Sequence, residues 1–257
     1  MRASSPDRRR WTVLRKVDAM PLLPEAKQVL RESALDLLQD PLVRGVAIWG
    51  SAGRGEPNPR DLDLVVLVPG KEAWTRRRLY CGHSIHLQMR GVARFRAMNI
   101  DRRQTRSEHR PAFADLLVLW DDTDSLATAR ARCRRLCARG PKPVSRWEQG
   151  RLQAELTALV EEMQALTGGP AACALHAAHV LSRCIAVHLR LRGAWVPERK
   201  GLLNALAATD EALAACYQHA ISLLSKPVAC LGEVRKLAAK ALAPVGGMAG
   251  EYEVFYK

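Results

Sequence analysis

Two aspartates, Asp61 and Asp63, stand two residues apart at the head of an apolar run, Leu62 to Val68. Such a run reads as a strand buried on both faces. Alternate residues of a strand point the same way, so the two carboxylates lie side by side. Adjacent carboxylates repel unless a cation lies between them, and Mg2+ takes oxygen ligands of this kind while also gripping substrate phosphates. One loop upstream, a strand over Val43 to Trp49 ends in Gly50-Ser51. Glycine at such a turn lets backbone N–H groups approach a phosphate, and the serine hydroxyl adds a donor. Solvated aspartates at a surface strand end would account for Asp61 and Asp63 alone. They would not account for the glycine–serine turn before them, or for the apolar remainder of the strand.

The elements that must position these residues follow from periodicity and turn formers. Pro24 opens a helix over Glu25 to Gln39, in which Leu30, Ala34, Leu37 and Leu38 recur at helical spacing. Asp40-Pro41 ends it. After the two strands, Pro69-Gly70 breaks the chain, and His83 to Met89 alternates as a third strand. Leu116 to Trp120 is another apolar run, and Leu126 to Ala138 reads as a helix. Gly140-Pro141-Lys142-Pro143 reads as a linker, and the pattern beyond it is wholly helical. Leu152, Leu156, Leu159, Val160, Met163 and Leu166 make one amphipathic face. Ala171 to Leu191 is apolar on most sides, as a central bundle helix should be. Helical stretches at about 200–208, 210–224 and 228–242 follow.

Composition narrows the setting. The net charge is +14, and residues 1–145 hold 28 lysines and arginines against 16 acids, the remainder 12 against 10. A basic first half favours anionic partners, although its cations, such as Arg76-Arg77-Arg78, lack the interleaved aromatics of a base-stacking surface. Residues 1–20 read as a flexible basic tail, without the apolar core of a secretory signal. No uncharged apolar run reaches the length of a membrane span, so no membrane partner is expected. Seven cysteines, Cys81, Cys133, Cys137, Cys173, Cys184, Cys216 and Cys230, show no disulfide framework, which fits a reducing, cytoplasmic location.

Gly50-Ser51, Gly53-Arg54-Gly55 and Asp61-Leu62-Asp63 together resemble the polymerase-β-like nucleotidyltransferase superfamily. The likeness is to the bacterial branch of aminoglycoside and minimal nucleotidyltransferases. Leu191 to Leu203, with Gly193, Pro197 and Lys200, looks like the joint of that branch's C-terminal helical bundle. The resemblance implies an α/β fold, with a small mixed-sheet nucleotidyltransferase domain over 21–140 followed by an all-α helical bundle over 146–245. It implies transfer of AMP from ATP, or of NMP from another NTP, to a hydroxyl of a small-molecule acceptor, with loss of pyrophosphate. Asp61 and Asp63 would be the catalytic Mg2+ ligands. Gly50, Ser51 and Arg54 would grip the triphosphate, and Lys200 would reach it from the helical domain. The family supplies a third carboxylate from the next strand, where this chain offers His86 and Gln88 instead. Three outcomes stay open: His86 is the general base, the site holds one metal, or catalysis is lost. Arg60, before the first aspartate, is a second departure from the family's usual small polar residue. An RNA or protein acceptor, or a degenerate nucleotide-binding protein without turnover, are the alternatives.

Other constellations carry weaker signals. His176, His179, Arg183 and Arg190 form one stripe on the central helix, able to contact nucleotide or acceptor. Glu148, Glu155 and Glu162 lie seven apart, as an acidic stripe able to take a cationic acceptor. Arg183 and His188 have the spacing of the nuclease motif in HEPN toxins, although about 140° apart on an ideal helix. Cys133 and Cys137 share a helix face without a second ligand pair.

Overall fold

A computed structural model describes residues 6–80, 82–98, 109, 111–166 and 168–250. Cys81 lies outside the described residues. The chain forms two compact units that divide between Arg139 and Gly140, with His109 belonging to the second.

The first unit is built on a mixed sheet of five strands: β1 (Gly45–Trp49), β2 (Asp61–Val68), β3 (Ala73–Tyr80), β4 (His83–Gly91) and β5 (Leu117–Asp121). Their order is β3-β4-β2-β1-β5, with β2 and β4 parallel and the other neighbours antiparallel. The sheet is covered on both sides. On one face α1 (Pro6–Asp18) and α2 (Pro24–Gln39) close over Ile48, Leu62, Leu64 and Val66. On the other, a 3-10 turn at Ala112–Asp115, α4 (Val92–Ala97) and α5 (Ser125–Arg139) close over Ala47, Val65 and Leu67. Leu64 to Leu67 are fully buried, the outcome an uninterrupted apolar strand demands. Between β1 and β2, α3 (Gly50–Gly53) makes a single turn.

Two elements of this unit depart from the sequence reading. Residues 6–18 are not a loose tail but helix α1, with Val13 and Val17 wholly buried and Met20 nearly so just after it. Their spacing of four and three is the apolar stripe that docks the helix, and the basic residues around it mask the pattern. Asp7 in the first turn and Arg15 and Lys16 in the last suit the helix dipole. The second departure is β3. Every residue from Trp74 to Tyr80 is exposed, so no buried face leaves a period-two signal. The Arg76–Arg78 cluster is therefore part of an edge strand and not of a loop.

The second unit packs α6 (Arg146–Ala165), α7 (Pro170–Leu191), α8 (Leu202–Thr209), α9 (Glu211–Ser222) and α10 (Pro227–Leu242) around one apolar core. Ser145 caps α6 by accepting from the Glu148 amide, and Asp210 caps α9 by accepting from the Leu213 amide. α7 is long and apolar enough to cross a membrane by length and composition, but 56% of its most apolar window is buried inside the protein. It is the core helix of the bundle. Burial pushes the Cys184 thiol up to about 12 and the Tyr217 hydroxyl well above its usual value, so both stay neutral in that core.

Candidate functional site

The strand register brings the sequence-predicted residues to one place. β1 and β2 pair antiparallel with Trp49 opposite Asp63, so the Gly50 turn lies at the strand end that carries the aspartates. β2 and β4 pair parallel with Asp61 opposite Ser84 and Asp63 opposite His86. Side chains directly across neighbouring strands share a face. Asp61, Asp63, Ser84 and His86 therefore form one polar patch at the end of the sheet. Gln88 lies a step further along the same face, opposite Val65. The position beside Asp63 on β4 is His86, and no carboxylate stands there.

Gly50 shapes the approach to Asp63. Its φ of 67° lies in the left-handed region that glycine tolerates. A Cβ placed there would fall 2.6 Å from Asp63 Oδ2, closer than any real contact. The glycine thus lets the Asp63 carboxylate approach the turn backbone closely. Gly53 serves the same turn from its other end, since a Cβ there would meet the Asp115 carbonyl oxygen at 2.7 Å. Ser51 is buried in the turn, and its carbonyl accepts from the Glu56 amide at 3.1 Å.

A chain of polar contacts crosses three strands to the other oxygen of Asp63. Arg77 Nε on β3 donates to Ser84 Oγ at 2.8 Å, and Ser84 Oγ lies 3.1 Å from His86 Nε2. His86 Nδ1 lies 3.3 Å from Asp63 Oδ1. An arginine can only donate, so the serine oxygen accepts from it and turns its own proton to His86 Nε2. Nδ1 then carries the ring proton toward Asp63. This fixes the tautomer that leaves Nε2 as the basic nitrogen. Arg77 and Ser84 were not identified from sequence. Ser84 shares a period-two face with His86, a signal that was available. Arg77 joins them only through the β3–β4 register.

Among the described residues, no three His, Cys, Asp or Glu side chains converge as a metal-binding group. The donor set is two hard carboxylates at one strand head, beside a glycine turn. That suits Mg2+ in its usual manner, held by one or two carboxylates and completed by waters and substrate phosphates. Of the remaining predicted residues, Arg54 is exposed and bound to Glu56 Oε1 through Nε and Nη2, at 3.1 and 2.7 Å. Arg60 is exposed. Lys200 belongs to the second unit, exposed on the 3-10 turn Arg199–Gly201 before α8.

The two helix stripes meet each other. Arg183 Nε lies 2.6 Å from Glu155, Arg190 Nη2 3.1 Å from Glu148, and His176 Nε2 3.8 Å from Glu162. Glu155 and Glu148 of α6 thus pair with arginines of α7 and are not left for a ligand, whereas His176 Nε2 meets the Leu159 carbonyl oxygen at 2.8 Å and Glu162 stays exposed. His179 is set beside His176, their ring centroids 6.4 Å apart. The HEPN-like pair is not assembled either: Arg183 is held by Glu155, while His188 is buried and takes a bond from Arg192 at 3.1 Å on Nδ1. Cys133 and Cys137 pack into the apolar cluster beneath α5.

No protein-family profile and no curated protein matches the chain. Among solved structures it is similar to the crystal structure of a nucleotidyltransferase-like protein from Exiguobacterium sibiricum. The identity is 13% and the TM-score 0.40, over 85% of this chain and 77% of the other. A likeness that distant decides nothing about the chemistry.

Proposed function

We propose that the chain is a Mg2+-dependent nucleotidyltransferase that moves AMP from ATP to a hydroxyl of a small-molecule acceptor. The observation that carries this reading is Asp61 and Asp63 at one strand head, packed against a turn that only glycine can make at Gly50. Asp61 and Asp63 hold the metal, and the Gly50–Ser51 turn grips the triphosphate with backbone N–H groups and a hydroxyl. Arg54 adds charge by exchanging Glu56 for a phosphate. Mg2+, when bound, neutralises charge on the triphosphate and on the leaving pyrophosphate. His86 Nε2 exchanges Ser84 for the acceptor hydroxyl and takes its proton. The acceptor oxygen bonds to the α-phosphorus as the bond from that phosphorus to pyrophosphate breaks. Asp63, on the Nδ1 side, steadies the imidazolium that results.

The acceptor side is the open face of β3 and β4 next to the aspartates. Thr75, Arg77, Gln88 and Arg90 share that face by register, with Arg90 Nη2 donating to Gln88 at 3.2 Å. It offers hydrogen-bonding groups and two cations, which suits a neutral or anionic polyol better than a polyamine. With Glu148 and Glu155 engaged by α7, the α6 stripe does not speak for an aminoglycoside.

A second reading, nucleotide binding without turnover, is favoured by His86 standing on Asp63 where a third acid would be. The test is incubation with α-labelled NTPs, Mg2+ and a panel of polyol, RNA and protein acceptors. Transfer should require Mg2+, release pyrophosphate and vanish in Asp61→Ala/Asp63→Ala. Retained ATP binding with no transfer and no pyrophosphate would leave the second reading. ATP affinity unchanged by the double substitution would remove both.

A further inference from the structure

A cavity of the first unit lies away from the aspartates, along the outer edge of β5. It measures about 1130 Å³ and is walled by α1, the loop after α3, β5 and α5. None of Gly50, Ser51, Asp61, Asp63 and His86 lines it. Its volume is slightly above the ~300–1,000 Å³ common for small-molecule sites.

The lining is cationic in effect. Five cations face three acids: Arg8, Lys16, Arg54, Arg130 and Arg134 against Asp121, Asp122 and Asp124. Two of the acids are already engaged. Asp121 caps α5, with Oδ2 accepting from the Leu126 and Ala127 amides at 2.7 and 3.1 Å. Asp122 Oδ2 faces Arg44 at 3.5 Å and Arg9 at 3.9 Å. Of the cations, Arg54 is paired with Glu56 and Arg134 donates to the Ala114 carbonyl oxygen at 3.2 Å, while Lys16 and Arg130 crowd one another. Burial, then Arg15 and Arg130, push the Lys16 ammonium below its usual range, and burial followed by Arg134 does the same to Arg130. An anion entering the cleft relieves that repulsion.

Unpaired polar atoms of the same lining add a second line of argument. Trp120 Nε1 and Arg130 Nε are buried donors with no partner, and Asp122 Oδ1 is a buried acceptor with none. Each unmet group of this kind costs about 1–3 kcal/mol, and a small side-chain turn toward a ligand recovers it. Two donors and many cations call for phosphate oxygens, while the lone acceptor calls for a hydroxyl or amino group. Lys16 Nζ already holds the Val118 carbonyl oxygen at 2.8 Å, which obstructs the β5 edge against an added strand.

We propose that this cleft is a second binding site, for a small phosphorylated polyol: a nucleoside monophosphate or a sugar phosphate. The cleft shares Arg54 with the proposed triphosphate grip but none of Asp61, Asp63 and His86, so its ligand binding is separable from the aspartate patch.

The test is calorimetric titration of the full chain in EDTA at fixed ionic strength, with AMP, ribose 5-phosphate, inorganic phosphate and a single-stranded RNA 20-mer as separate probes. At least one of AMP and ribose 5-phosphate should bind saturably. Tighter AMP indicates a nucleotide, equal affinity a sugar phosphate. Arg130→Gln and Arg134→Gln should each weaken that binding at least tenfold, while Asp61→Ala/Asp63→Ala leaves it unchanged. The exposed Arg134 keeps the test sound if Arg130→Gln disturbs the fold. Four outcomes overturn the proposal: no saturable binding of either organic phosphate, loss in the aspartate variant alone, binding indifferent to both arginine substitutions, or arginine-dependent binding of the RNA alone.

Discussion

At Gly50 two separate constraints meet, a left-handed backbone and a carboxylate oxygen 2.6 Å from where a side chain would begin. Gly50→Ala should therefore destabilise the first unit by about 1–3 kcal/mol and abolish transfer, since Asp63 must move to admit the methyl. Urea unfolding and pyrophosphate release measure the two effects. A variant as active as the parent would mean the carboxylate does not work from this position. His86 carries a second prediction. If Nε2 takes the acceptor proton, His86→Gln should lower kcat by about 10²–10⁴ and flatten the acid limb of the pH profile. Arg77→Ala, which frees Ser84 to turn and removes a cation from the acceptor face, should raise the KM for the acceptor with a smaller loss of kcat. An acid limb that persists in His86→Gln assigns the proton to another group.

Between elements, the clearest case is the α6–α7 pairing. Glu148, Glu155 and Glu162 face Arg190, Arg183 and His176, each set spaced by seven on antiparallel helices. Arg183 and Arg190 are mostly buried at the contact, so removing one partner strands the other away from water. Glu155→Arg should lower the second unit's stability by about 2–4 kcal/mol, and adding Arg183→Glu should restore at least half of it. Chemical denaturation of the two single variants and the double variant measures this cycle. Strict additivity would show that the helices do not pair through these groups. Helix α1 offers a parallel case in the first unit: Val13→Asp places a charge in the core and should free the helix, seen as new protease cleavage before residue 20.

For the molecule as a whole, acid sensitivity should come from His188. Burial first, and then the charge of Arg192, push its imidazole down from 6.5 to about 4. Between those two values the unfolded chain binds a proton that the folded bundle refuses. Stability therefore rises with pH through this window and falls as acid is added. Cooling of the transition should be visible as a loss of about 2 kcal/mol between pH 7 and 4.5 in the unfolding of the second unit. His188→Gln, which titrates in neither state, should remove most of that slope. An unchanged slope would assign the sensitivity to a group other than His188.

The aspartate pair, the glycine–serine turn, the buried second strand and the helices of the bundle were all legible in the sequence. Each depends on residues within a few positions of one another, where period and turn chemistry act directly. Even the α6–α7 pairing left a trace, because the numbers of its partners add to a constant, as antiparallel helices require. What the tertiary structure alone decided was register and docking. It set His86 against Asp63, ran Arg77 and Ser84 behind it, turned a basic N-terminal segment into a packed helix, and folded α1 and α5 around a cationic cleft. Those contacts join strands and helices far apart in the chain. A one-residue slip would turn each strand's side chains to the other face, and only the packing of the whole sheet excludes that slip.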